Sequence, residues 1–286
     1  MILGDNREAV IENIKSAAQS GDFYRKVELN DPVLTDEEAN RITDRYLENR
    51  KKASFRIKSH AARTAANILT SVINKNTEIE GLENMPEFPN GAIVTSNHFS
   101  PVENTVIRYF VKKCKKKKLN IVSQVTNLAM PGVLGFLMNY ADVIPLSGNF
   151  HYMERDFPAV LKELLDKGEA VLIYPEQEMW FNYRKPRPPK IGAYHYAAKL
   201  NVPVVSFFVE TVDLDEKDTE SFNKVRFILH VLGVIYPDPE KSVHANSIEM
   251  SEKDYALKKA AYEKAYNKPL TYEFDSSDIA GWLGDR

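Results

Sequence analysis

A histidine and a carboxylate, His98 and Glu103, are separated by four residues in the stretch TSNHFSPVEN, residues 95–104. Histidine titrates near neutral pH and can accept a proton as a general base. A carboxylate that holds one ring nitrogen orients the imidazole and stabilises the imidazolium that forms. A substrate that brings its own hydroxyl needs no serine or cysteine nucleophile. The pair therefore suggests direct acyl transfer, in which His98 takes the proton of an alcohol that attacks an activated acyl group.

The position of this stretch matters more than its spacing. A His-x4-Glu pattern occurs often by chance, and a histidine near a helix start is more often a cap or a surface residue. Here, however, the pattern directly follows the short apolar run GAIV, and LIYPEQEMW, further along the chain, also begins at the end of such a run. In open α/β sheets, sites gather beyond the carboxyl ends of strands. The two stretches are therefore candidates for one site.

Composition excludes several classes of protein. The chain has 286 residues, which suits one large domain or a domain with an appendage. The net charge of -2 gives no overall field that would favour nucleic acid. The single cysteine, Cys114, cannot form an internal disulfide, and no Cys/His cluster suggests a metal site. We expect a reducing compartment, no signal peptide and no spanning segment, so that any contact with a membrane is peripheral.

The order of helical and strand patterns predicts an α/β fold. Residues 1–75 read as a helical region, in which Thr35 and Glu38 form a capping box before a long helical pattern that must break. From residue 76, short apolar strands alternate with helices, which is typical of an α/β sheet covered on both faces. We therefore expect an N-terminal helical region at 1–75 and a second domain at 76–286.

Four stretches in order resemble the glycerolipid acyltransferases, of which lysophosphatidic acid acyltransferase is the best-known bacterial member. SNHFSPVE resembles their first motif, Asn-His-x4-Asp/Glu, and LIYPEQEMW is similar to their third, usually Phe-Pro-Glu-Gly-Thr-Arg. NVPVVSFFV is similar to the fourth motif, and IEGLENMP to the usual lead-in. Order and spacing agree from about residue 78 to about residue 210. The resemblance implies a mixed, mostly parallel sheet flanked by helices, with the helical region as an N-terminal extension.

The resemblance also implies roles for individual residues. His98 would be the general base, Glu103 would take the place usually held by aspartate, and Glu176 would lie at the acceptor site. Taken alone, Glu176 reads as a solvated carboxylate in a turn. The other motif residues expected to bind substrate or to support His98 are Ser96, Asn97, Tyr174 and Pro175.

The chain departs from the family pattern where phosphate is usually bound. Gln177, Glu178 and Met179 stand where the third motif has Gly, Thr and Arg, and DVIPLSGN, which corresponds to the second motif, has no arginine. The basic loop 184–190 is the best substitute, because arginine forks suit phosphate oxygens. A stiff, solvated loop is the alternative. The residues expected to bind the acceptor there are Arg184, Lys185 and Arg187, with Lys190 beside them.

The function implied is transfer of a fatty acyl group from acyl carrier protein or coenzyme A to the hydroxyl of a lysophospholipid of the 1-acylglycerol-3-phosphate type. The thioester is a co-substrate, and no further cofactor or metal is expected. The alternatives are a non-phosphate lipid or glycolipid acceptor, or a catalytically silent relative that binds anionic lipid. A nucleic-acid partner is not expected.

Three surface features bear on a membrane partner. The lysine run 112–118 reads either as a solvated helix end or as a contact for anionic lipid or an acidic carrier protein. AMPGVLGFLMNY, residues 129–140, reads as core or as the lining of an acyl groove. Trp180 and Phe181 could enter a membrane interface. We expect a cytoplasmic protein that is peripheral on the inner face of the cell membrane.

Overall fold

The computed structural model describes residues 7–29, 32–114 and 118–284. The strands are β1 (Glu78–Glu80), β2 (Ala92–Thr95), β3 (Leu119–Gln124), β4 (Val143–Leu146), β5 (Ala170–Leu172), β6 (Val204–Lys217) and β7 (Asn223–Ile235). The helices are α1 (Arg7–Ser20), α2 (Asp36–Asn49), α3 (Ala53–Ile73), α4 (Asn104–Lys113), α5 (Gly132–Tyr140), α6 (Phe157–Asp166), α7 (Gly192–Lys199) and α8 (Val243–Tyr266). Residues 115–117 of the lysine run lie outside the described residues.

One mixed sheet of seven strands organises the described residues, in the order β1-β7-β6-β2-β5-β3-β4. The pairs from β6 to β4 are parallel, β7 runs antiparallel to β6, and β1 runs parallel to β7. Helix α4 packs on one face of the sheet, and α6 and α7 pack on the other. This confirms the α/β fold with a mixed, mostly parallel sheet flanked by helices.

Strand β2 lies between β5 and β6 in the middle of the sheet. Ala92 and Val94 face the core beside α4, while Ile93 faces the opposite core. All are fully buried, which explains why the strand reads as a continuous apolar run. Because Val94 pairs with Leu172 of β5 in parallel register, the loops that follow these strands leave the same edge of the sheet side by side.

The described part of the N-terminal region is helical, as the sequence predicts, and it contains α1, α2 and α3. Thr35 and Glu38 make the expected capping box at the start of α2, and the long pattern breaks between α2 and α3. Helix α1 buries its apolar face in a cluster with residues of the 180–183 stretch, whereas α3 packs against α4 and α5. The boundary at residue 75 stays a prediction, since α1 and α3 each pack directly on the second part.

Residue types favour helix starts at Asp156, before FPAVLKELLDKG, and at Ser251, in SEKDYALKKAAYEKAY. The first position is confirmed, since α6 begins at Phe157, and the second is wrong. Helix α8 is capped by Ser242, whose hydroxyl accepts the N–H of Ala245, and not by Ser251, which lies well inside the helix. Asp156 makes no capping hydrogen bond, because a π-helical turn at Tyr152–Asp156 runs directly into α6.

Candidate active site

His98 and Glu103 meet at the carboxyl end of β2. The Nδ1 atom of His98 hydrogen-bonds to Oε1 of Glu103. The other carboxylate oxygen accepts the backbone N–H of Phe99 at 2.8 Å and that of Ser100. The Glu103 side chain is 1% exposed and that of His98 is 19% exposed. Since an ionised carboxylate only accepts hydrogen bonds, Nδ1 carries the ring hydrogen, which leaves Nε2 as the nitrogen that can take a proton.

Tyr174 fixes the plane of the His98 ring. The two rings are stacked, with centroids 4.0 Å apart and an angle of 7° between their planes. Burial, followed by the charge of Glu103, raises the pKa of Tyr174 well above its ordinary value, so its hydroxyl stays neutral. The His98 imidazole is therefore held at its edge by a carboxylate and on one face by an aromatic ring.

Asn97 anchors the loop between β2 and α4 to strand β6. Its side-chain amide donates to the carbonyl of Val209 at 3.0 Å and accepts the N–H of the same residue at 2.8 Å. The hydroxyl of Ser96 donates to the side-chain oxygen Oδ1 of Asn97 at 3.2 Å. Both side chains are buried, so in this structure they support the His98 loop. Contact of either residue with substrate stays a prediction.

Glu176 is not a solvated carboxylate; that alternative is wrong. It is 3% exposed, and Oε2 accepts the backbone N–H of His98 at 3.2 Å and Nε of Arg187 at 3.1 Å. Oε1 accepts the backbone N–H of Arg187 at 3.1 Å. Pro175, also buried, accepts the backbone N–H of Lys190 at 2.7 Å. The third motif is thus joined to the His98 loop and to the loop 184–190.

The turn after Glu176 explains one departure from the family pattern. Gln177 has a φ of 66°, in the left-handed region that glycine enters at the lowest cost. A glycine at this point, as in the usual motif, fits the same backbone. Gln177 thus occupies a backbone conformation that a glycine would adopt at lower cost.

Two cations of the basic loop 184–190 are buried, contrary to the alternative of a solvated loop, whereas Lys190 is exposed. Arg187 is 1% exposed and pairs with Glu176, and Lys185 is 3% exposed. Lys185 donates to Asp278 at 2.6 Å, and Arg184 donates to Asp213 at 2.5 Å. Binding of the acceptor by these three side chains stays a prediction. It would require breaking the ion pairs of Arg184, Lys185 and Arg187 with protein carboxylates.

The sequence interpretation missed a contribution from the N-terminal segment. The carbonyl of Phe23 accepts Nη1 of Arg187 at 2.8 Å, and that of Arg25 accepts Nε1 of Trp180 at 3.0 Å. Trp180 is 0% exposed and Phe181 is 8% exposed, in the cluster with α1, so the prediction that they enter a membrane is wrong. The apolar spacing of α1 was the signal that this helix needs a partner.

Helices α3 and α5 pack on each other, and each exposes apolar side chains. Only Gly135 of α5 is fully buried, so the interpretation of residues 129–140 as core is wrong for most of that helix. Ile57, Ile68 and Val72 share one stripe of α3 by helical periodicity. We call the following residues the α3–α5 surface: Ile57, Ile68, Leu69, Val72, Val133, Leu134 and Phe136, all exposed.

Neither a metal centre nor a membrane span is evident in the described ranges. Within residues 7–29, 32–114 and 118–284, no group of three or more His, Cys, Asp or Glu side chains is arranged to hold a metal ion. Over the same ranges, every helix is too short or too polar to cross a bilayer.

Residues 76–210 match the family model Acyltransferase. The chain is 31% identical over 129 residues to the 1-acyl-sn-glycerol-3-phosphate acyltransferase BAT2, chloroplastic, of Brassica napus. It is 32% identical over 127 residues to the 1-acyl-sn-glycerol-3-phosphate acyltransferase LPAT1, chloroplastic, of Arabidopsis thaliana. These matches cover 45% and 44% of this chain but only 36% and 34% of the two relatives. A solved structure, the 1-acyl-sn-glycerophosphate acyltransferase PlsC of Thermotoga maritima, aligns over 92% of this chain and 98% of its own, with 16% identity and a TM-score of 0.49.

Proposed function

We propose that this chain, whose residues 76–210 match the acyltransferase family model, transfers a fatty acyl group to the hydroxyl of a lipid alcohol, with His98 as the general base. The observation that carries the proposal is the bond between His98 Nδ1 and the buried Glu103, which leaves Nε2 free to take a proton. The acceptor is a lysophospholipid of the 1-acylglycerol-3-phosphate type, which is the class named for the two curated relatives.

The proposed reaction is a direct transfer without an acyl-enzyme. Nε2 of His98 accepts the proton of the acceptor hydroxyl as its oxygen attacks the carbonyl carbon of the acyl thioester. Glu103 stabilises the imidazolium that forms, and Tyr174 keeps the ring in the plane needed for the transfer. The new carbon–oxygen bond forms, the carbon–sulfur bond breaks, and the thiolate leaves and takes the proton from His98. Acyl carrier protein or coenzyme A is the thiol, and no further cofactor is consumed.

The assay also includes acceptors without a phosphate. Arg184, Lys185 and Arg187, the cations expected to hold a phosphate, are all paired with protein carboxylates. A non-phosphate lipid or glycolipid alcohol would need none of them. A catalytically silent relative would bind anionic lipid but turn over neither class of acceptor.

We propose that the protein works at the cytoplasmic face of the cell membrane, as a peripheral protein. The α3–α5 surface supports this location, because the free energy falls when exposed apolar side chains are buried at the boundary between headgroups and acyl chains of a bilayer. Arg56 and Lys58, exposed near the start of α3, suit anionic headgroups at about 1 kcal/mol each.

The test is a transfer assay on the full chain. Purified protein is incubated with labelled acyl-acyl carrier protein or acyl-coenzyme A and with lysophosphatidic acid, other lysophospholipids, a monoacylglycerol or a glycolipid. His98→Ala should lower kcat/KM by about 10²–10⁴-fold because the general base is lost. His195→Ala, which changes an exposed histidine on α7, is the matched control and should leave the rate unchanged. Absence of transfer by the unaltered protein to every acceptor would refute the proposal, and full activity of His98→Ala would refute the role of His98.

A further inference from the structure

Arg187 is a buried cation whose donors reach four separate partners. Nε donates to Glu176 at 3.1 Å, and Nη1 donates to the carbonyl of Phe23 at 2.8 Å. Nη2 donates to the carbonyls of Glu178 and His98, the latter at 3.4 Å. The guanidinium carbon lies 4.5 Å from the centre of the Trp180 ring. The side chain is 0% exposed, so its donors are directed at the protein and not at an open site.

Together with Glu176, this arginine holds the backbone on both sides of His98. The N–H of His98 donates to Glu176, and the carbonyl of His98 accepts from Arg187 and from the N–H of Trp180 at 3.1 Å. Glu103 and Tyr174 hold the imidazole but not the peptide groups that carry it. The position of the ring relative to a substrate therefore depends on the Glu176–Arg187 pair.

We propose that the Glu176–Arg187 pair is a positioning clamp for His98. The inference rests on the proposed function, because it assigns the clamp to the same reaction. It differs from the expected role of both residues in holding the acceptor. Catalytic groups must stay within about 0.5 Å of their productive geometry, so a clamp that fixes the backbone of His98 supports catalysis.

The clamp also joins the site to a segment outside residues 76–210. Phe23 and Arg25, which follow α1, contribute the carbonyls that accept from Arg187 and Trp180. Helix α1 holds this segment in place through its buried apolar face. The N-terminal segment is thus part of the support of His98, in addition to any role at a membrane.

The kinetic test compares Glu176→Gln, Arg187→Met, the double variant and Arg187→Lys. Each single change should lower kcat by about 10- to 100-fold, since a misplacement of 1 Å costs about 10²-fold. The KM for the acceptor should stay within about twofold of its starting value, because neither side chain touches the acceptor. The double variant should be no slower than the slower single variant, since both changes release the same contact. Arg187→Lys keeps the cation beside Glu176 and should recover part of the lost rate.

The opposite results would overturn the clamp. A tenfold rise in the KM for phosphate acceptors with kcat unchanged would return both residues to acceptor binding, and additive losses in the double variant would show that they act separately. A single variant that leaves a buried charge without its partner can lose enough stability to unfold. The double variant removes both charges and so avoids this loss of stability. The control is Arg50→Met, which breaks the partly buried ion pair between Arg50 and Glu163. It should leave kcat unchanged.

A second measurement needs no acyl transfer. Diethyl pyrocarbonate modifies the unprotonated ring nitrogen of histidine, and peptide mass spectrometry gives the rate at His98. In folded clamp variants this rate should rise several-fold, while Arg50→Met should match the unaltered protein. If the unaltered protein transfers no acyl group but the rate changes as expected, the proposed function fails and the clamp stands. If transfer occurs but both kcat and the modification rate of the folded variants are unchanged, the clamp fails and the function stands.

Discussion

Replacing Glu103 by glutamine should separate the orienting role of this side chain from its structural role. One carboxylate oxygen of Glu103 accepts two backbone N–H groups, from Phe99 and Ser100, and the other bonds to Nδ1 of His98. In Glu103→Gln, the amide oxygen must stay with the two N–H groups, so the NH₂ group turns towards Nδ1. The Nδ1 atom must then be an acceptor, which places the ring hydrogen on Nε2. A ring in this tautomer cannot take the proton of the acceptor hydroxyl.

The magnitudes differ clearly between activity and stability. Loss of the general base lowers the rate by about 10²–10⁴-fold, so Glu103→Gln should lose that much in kcat. Its hydrogen bonds become neutral but are still made, which should cost about 1–2 kcal/mol of unfolding free energy. Glu103→Ala instead leaves two N–H groups without an acceptor at residues that are 1% and 7% exposed. At about 1–3 kcal/mol for each group, this variant should lose about 2–6 kcal/mol, a large part of the stability of a typical domain.

The assay combines steady-state kinetics with urea unfolding of both variants at one pH. Glu103→Gln should have nearly normal stability and almost no activity, whereas Glu103→Ala should lose both. Glu103→Asp, which restores the residue usual in the family, should retain more activity than Glu103→Gln because it keeps the charge. If Glu103→Gln keeps kcat within tenfold of the unaltered protein, the tautomer argument is wrong.

Two further predictions concern pH and the membrane. Burial raises the pKa of Tyr46 to about 12. Its contribution to stability is therefore fully present below the ordinary tyrosine pKa of about 10 and is lost as the pH rises to 12. This loss lowers the free energy of unfolding by about 3 kcal/mol. Tyr46→Phe should reduce the loss of unfolding free energy over that range by this amount in urea titrations, and parallel curves for the two proteins would contradict the assignment. Ile68→Asp combined with Val133→Asp should weaken binding to vesicles containing anionic lipid by at least about tenfold in flotation, since burial of each apolar side chain contributes about 1.5–3 kcal/mol. Tyr236→Asp changes another exposed apolar side chain and should leave binding unchanged; equal flotation of both variants would argue against the α3–α5 surface.

Much of the fold was predictable because its signals are local. The alternation of apolar strands with helices predicted the α/β sheet, and the run GAIV indicated a strand buried on both faces. The start of α8 was missed because Ser251 and Ser242 are equally good capping residues, and only packing decides between them. The buried state of Lys185 was missed for a related reason. Its partner Asp278 lies 93 residues away, and a lysine in a basic loop gives no local sign of it.

By itself, the sequence predicted that His98 and Glu103 form a pair. The carboxylate reaches the imidazole and two intervening N–H groups within one short loop, so this geometry follows from neighbouring residues. Only the tertiary structure decided what Glu176 and Arg187 do. They meet His98 because β5 lies beside β2 and because the chain returns over the site, which brings Arg187 to a residue 89 positions earlier. Such contacts depend on strand order and packing. A buried charged side chain must be paired or hydrogen-bonded, and its partners are the groups that the fold places near it.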